Sequence, residues 1–125
     1  MATKNFMIAS RQVREVTVTL KYDDLEQIVT IPKDTRLITA VINTKTAFVT
    51  GTTEIDMGIL GSLESILADV SVAAQGSAIP TTEWQQWGYE TTAVTDIYIT
   101  AGASNTAGEV DVTLILSGSF DTVFG

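Results

Sequence analysis

The side chains best suited to chemistry in this sequence are carboxylates. Glu54 and Asp56 stand two residues apart, as do Glu109 and Asp111. On a strand that spacing places both acids on one face, and a glycoside hydrolase needs only two carboxyl groups. The same acids offer oxygen ligands for calcium, but without the loop spacing that calcium motifs use. Exposed strand faces routinely carry acids, whereas catalysis needs groups converging from several elements, so the spacing favours a solvated face. Composition closes the other routes. The 125 residues include no histidine and no cysteine, which removes the usual proton shuttle, thiolate chemistry and the preferred ligands of zinc and copper. Ser104 has no imidazole to activate it, and no lysine follows Lys45 to replace one. Glycine-rich dinucleotide loops, phosphate loops and EF-hand spacing are missing. The expectation is a protein that is not an enzyme and needs no cofactor or metal.

A second candidate is aromatic. Trp84, Trp87 and Tyr89 crowd the polar segment PTTEWQQWGYE. They could form a stacking platform for sugar rings or an anchor in a partner's pocket. They could equally plug one end of the fold, and the tendency of large aromatics to be buried favours the plug.

Charge separates the chain into two parts. The net charge is −8, and all seven bases (Lys4, Arg11, Arg14, Lys21, Lys33, Arg36 and Lys45) fall in the first 45 residues against five acids. Residues 46–125 hold ten acids and no base. One reading is an electrostatic division between a docking and a solvent-facing surface; the other is solubility for an apolar chain. Nucleic acid is not expected as a partner, because phosphate binding needs clustered bases on one face.

The elements that must position these residues read as strands. In VREVTVTLKY, Val16, Val18, Leu20 and Tyr22 alternate with Thr17, Thr19 and Lys21, the period of a half-buried strand. QIVTI resumes the pattern until Pro32, and RLITAVINT and TAFVTGTTEIDMG are rich in β-branched residues. In EVDVTLIL, Val110, Val112, Leu114 and Leu116 share one face. VTDIYIT and EVDVTLIL predict a closing hairpin across AGASNTAG, with Gly102, Asn105 and Gly108 suited to positive-φ corners. Leu63, Ile66, Leu67 and Val70 recur at helical spacing after Ser62, predicting a short helix over residues 62–69. The length fits a single domain. Seven or eight strands and one minor helix predict an all-β antiparallel sandwich or barrel, with residues 1–14 as an N-terminal arm and 15–125 as the domain. No signal peptide or membrane-spanning run is visible, so cytoplasmic synthesis and no membrane partner are expected.

Residues 37–117 carry a resemblance. TAFVTGTTEIDMGILGSLESI followed by IYITAGASNTAGEVDVTLIL resembles small virion proteins of tailed bacteriophages, of the capsid decoration or cement type. The resemblance implies a jelly-roll-like β-sandwich, commonly a homotrimer, bound to the major capsid protein on the capsid surface after synthesis in the host cytoplasm. The alternative is a carbohydrate- or receptor-binding module of a head fibre or tail component, using the Trp84–Tyr89 loop. Attachment is expected through the arm. Phe6, Met7 and Ile8 would supply apolar contact, and Lys4, Arg11 and Arg14 would orient it against acids.

Overall fold

The computed structural model describes residues 12–118. Eight strands account for its regular structure: β1 (Gln12–Lys21), β2 (Glu26–Ile31), β3 (Arg36–Val49), β4 (Glu54–Ile59), β5 (Ser62–Ser71), β6 (Gly76–Ala78), β7 (Thr95–Ala101) and β8 (Ala107–Gly118). The first half of the chain pairs with the second in reverse order: β1 with β8, β2 with β7, β3 with β6, β4 with β5. Two more antiparallel pairings, β3 with β8 and β4 with β7, complete two four-stranded sheets. The sheets run β1-β8-β3-β6 and β2-β7-β4-β5. This is the double-sheet jelly roll, as a chain folded once on itself and then wrapped produces it.

Period-2 sequence builds the core. β8 alternates half-buried and buried residues along its whole length, and Val110, Val112, Leu114 and Leu116 all face inward. Leu20, Ile42 and Phe48 join them from the first sheet, and Ile31, Ile55, Met57, Ile97 and Ile99 oppose them from the second. Each such side chain contributes about 1.5–3 kcal/mol by leaving water. Val16 and Val18 are only half-buried and pack at the margin of this cluster.

Three expectations need correction. The helix predicted over 62–69 is strand β5. Its helical spacing comes from irregular pairing, since the β4–β5 register shifts on both sides of Met57. Asp69 adopts a φ of 59° between Leu67 and Val70, and a bulge of this kind lets those two residues, three apart, both be buried. The second shift, between Met57 and Ile59, accompanies the consecutive burial of Ile66 and Leu67 while Leu63 stays outside. Gly58 permits the close approach, because a Cβ at that position would overlap the Ser62 carbonyl and Leu63. The closing hairpin does not form either. β7 and β8 belong to different sheets, and the loop between them crosses the sandwich. Asn105 ties that crossing down, donating to the carbonyls of Thr52 at 2.9 Å and Gly102 at 3.0 Å and accepting from the Gly51 N–H at 3.2 Å. The positive φ falls on Ser104 and Gly108, at 69° and 151°. Finally, β1 already includes Gln12, the first described residue, so Arg14 is a strand residue rather than part of an arm. Lys4, Phe6, Met7, Ile8 and Arg11 lie outside the described residues.

Candidate functional site

The loop joining β6 to β7 is built around Trp84. Its indole N–H donates to the Pro80 carbonyl at 2.8 Å, and the residue is only 7% exposed. The backbone beside it runs along the edge of β5: Ala68 N–H donates to the Glu83 carbonyl, and Gln85 N–H to that of Ile66, both at 3.0 Å. Glu83 turns back to accept from the N–H groups of Thr81 and Thr82, and these donors with its own N–H hold its carboxyl below the usual range. The far end of the loop is fastened at Thr91, which is buried. Its hydroxyl donates to the Pro32 carbonyl at 2.6 Å and accepts from the Thr35 N–H at 3.0 Å.

Between these anchors the aromatic residues divide. Trp84 and the half-buried Tyr89 pack against the core, as the plug reading expects. Trp87 does not. It is 59% exposed, with its ring 4.9 Å from that of Trp84 and tilted by 32°. A fixed indole therefore supports a presented one, a geometry able to stack on a planar or apolar ligand face. Spacing alone could not separate the two tryptophans, and Thr91 carried no sequence signal because its partners lie about the β2–β3 turn.

The carboxylates form two different arrangements. On β8, Asp111 accepts from the Thr19 hydroxyl at 2.7 Å and meets Lys45 at 3.0 Å. Glu109 lies between Lys21 and Lys45 at 3.9 and 3.8 Å. The Thr19 hydroxyl and Lys45 hold Asp111 below the usual carboxylate range, and Asp111 in turn raises Lys45. This is a neutralised cross-strand ladder.

On β4, Asp56 is joined by Glu64 and Asp69 of β5, with one carboxylate oxygen from each lying within 4.8 Å of the others. The Asp69 N–H donates to Asp56 Oδ1 at 2.8 Å. Burial pushes Asp56 up, and the Asp56 charge pushes Glu64 up. Glu54 is not part of the trio, so the pair suggested by spacing is replaced by one member and two partners that only the bulged register brings near. Three oxygen donors are fewer than the six to eight that calcium takes. A shallow groove of about 240 Å³ beside β6, lined by Thr44, Ser71, Gln75 and Ser77 among others, contains no titratable side chain. The carboxylates of both arrangements lie away from this groove.

Fold and surface together define an eight-stranded jelly roll with one presented tryptophan and two unlike sheet faces. No protein-family model and no curated protein sequence matches the chain. Among solved structures it is similar to a chain of the "Cyanophage Pam1 capsid asymmetric unit", with 17% identity and a TM-score of 0.56. The match covers 95% of this chain and 93% of that one. At this identity the likeness is one of fold, shared from end to end.

Proposed function

We propose that this chain is a structural virion protein that decorates or cements a bacteriophage capsid through protein–protein contacts, without catalysis. The observation that carries the reading is the end-to-end fold match with a chain of a phage capsid asymmetric unit. The pairing of Glu109 and Asp111 with Lys21 and Lys45 supports it, as a surface ladder suited to contact. The partners are the major capsid protein and further copies of the chain, arranged as a homotrimer on the capsid surface. Attachment runs through the N-terminal segment, with Phe6, Met7 and Ile8 supplying affinity and Lys4 and Arg11 orientation; Arg14 adds its charge from the start of β1. The test is the copy number of the chain relative to the shell protein in purified particles. Hundreds of copies per particle support decoration, and a few copies overturn it in favour of a tail or vertex part. Deleting residues 2–11 is expected to leave a folded sandwich that no longer binds particles.

A second reading, carbohydrate or receptor binding, is favoured by the support of Trp87 on Trp84. It expects Trp87→Ala to abolish retention on host glycan while leaving the fold and incorporation into particles intact.

A further inference from the structure

Jelly rolls have four sheet edges, and an unprotected edge invites another strand. Three of the four edges here are short or covered. β6 has three residues. β5 is overlaid by the loop at Trp84, with an isolated bridge between Leu67 and Trp84. β2 has six residues and ends against Pro32. β1 differs: it runs ten residues in unbroken register against β8, and no strand among the described residues lies on its other side.

The backbone directions on β1 follow from one hydrogen bond. Tyr22 N–H donates to the Gly108 carbonyl, so the even-numbered residues turn their N–H and C=O toward β8 and the odd-numbered ones turn theirs outward. Lys21 is already engaged by Asp24, through both its N–H and its C=O. Val13, Glu15, Thr17 and Thr19 remain, presenting four donors and four acceptors in a row.

We infer that this edge pairs with the β1 edge of a second copy of the chain, antiparallel across a two-fold axis at Val16. In this register Val13 faces the second copy's Thr19 and Glu15 faces the second copy's Thr17. It is the one in-face register that uses all four residues of both copies, since same-face pairing requires partners of equal parity. Two further features select a copy of the chain. The antiparallel arrangement turns the basic start of β1, with Arg14, toward the end carrying the exposed acids Asp23, Asp24 and Glu26 of the other copy. Val13, 66% exposed on the outer face, gains the methyl group of the second copy's Thr19 as a neighbour. The contact is isologous. It joins copies in pairs, and it would link neighbouring trimers rather than build one. It does not depend on a capsid role.

Because the chain has no cysteine, single thiols report the register directly. Opposed residues of a hydrogen-bonded antiparallel pair stand about 5.5 Å apart at Cα, within disulfide range. Full-length Glu15→Cys mixed with full-length Thr17→Cys is expected to cross-link under mild oxidation, while either variant alone is not. Thr17→Pro removes a donor that β8 does not use and is tolerated at an edge. It should keep the native circular dichroism and weaken self-association at least tenfold by sedimentation. Glu15→Gln should strengthen association, since the two Glu15 carboxylates become diagonal neighbours across the axis. The absence of the mixed cross-link overturns the proposal, as does a folded Thr17→Pro variant that associates as the parent does. Should Thr17→Pro fail to fold, the cross-link alone decides.

Discussion

The two sheets share one core and differ outside it. The strands of the β1-β8-β3-β6 sheet carry four bases (Arg14, Lys21, Arg36, Lys45) against three acids (Glu15, Glu109, Asp111). Those of the β2-β7-β4-β5 sheet carry six acids and no base. The split along the sequence thus becomes a split between faces, because the basic strands β1 and β3 flank β8 and absorb its acids. On the first sheet, opposite charges are matched in rows across the strands. On the second, Asp56, Glu64 and Asp69 are gathered with no cation among the described residues beside them. The lesson is that this fold tolerates unbalanced charge wherever the inner face of the same strand is well packed. A few tenths of a kcal/mol of surface repulsion is small beside the burial of Ile55 or Ile99.

A core common to both sheets should be equally sensitive from either side. Leu114→Ala in one sheet and Ile99→Ala in the other should each cost about 2–5 kcal/mol in urea unfolding; a large loss from only one would mean the sheets are stabilised separately. Next comes Gly58→Ala, which acts on the second sheet alone. It pushes β4 from β5 and should cost about 1–3 kcal/mol, read as a lower melting temperature with the Asn105 crossing unaffected.

The outer faces should then respond to acid with opposite signs. Asp56 and Glu64 have folded pKa values raised above their ordinary 3.8 and 4.5. Their contribution to stability is full below those values and is lost as pH rises through the raised ones. Asp111 is lowered from 3.8, so its contribution is present above 3.8 and is lost as pH falls through the lowered value. At pH 7, Asp56→Asn should raise stability and Asp111→Asn reduce it, each by less than about 1 kcal/mol. The gain from Asp56→Asn should vanish in acid. The smallest expected effect is that of salt. Screening should narrow the difference between these two variants, with both melting temperatures moving toward that of the parent.

The sequence made some of this legible and hid the rest for definable reasons. β8 could be read residue by residue, because strict alternation from Val110 to Leu116 survives in a regular central strand. β5 could not, because the Asp69 bulge shifts the burial period and imitates a helix. The β7–β8 loop read as a hairpin since nothing local tells a turn within a sheet from a crossing between sheets; Asn105 acts there through contacts some fifty residues away in sequence. The trio at Asp56 depended on that same bulged register. Trp84 and Trp87, three apart in one polar loop, differ only in which one the edge of β5 captures.

The nested pairing of the strands also fixes an order of events. β4 and β5 are adjacent in the chain and can meet as soon as both exist, whereas the hydroxyls of Thr17 and Thr113 that meet across β1 and β8 are 96 residues apart. Such distant partners make folding slow, because the loop between them must close before the contact stabilises anything. Among the described strands, β1 is synthesised before the others and is among the last to be paired. Until Ala107–Gly118 has been synthesised, neither edge of β1 has a strand partner among the described residues, and crowded nascent chains can cross-pair there. The strand inferred to join finished copies is the same strand that must be kept from joining unfinished ones.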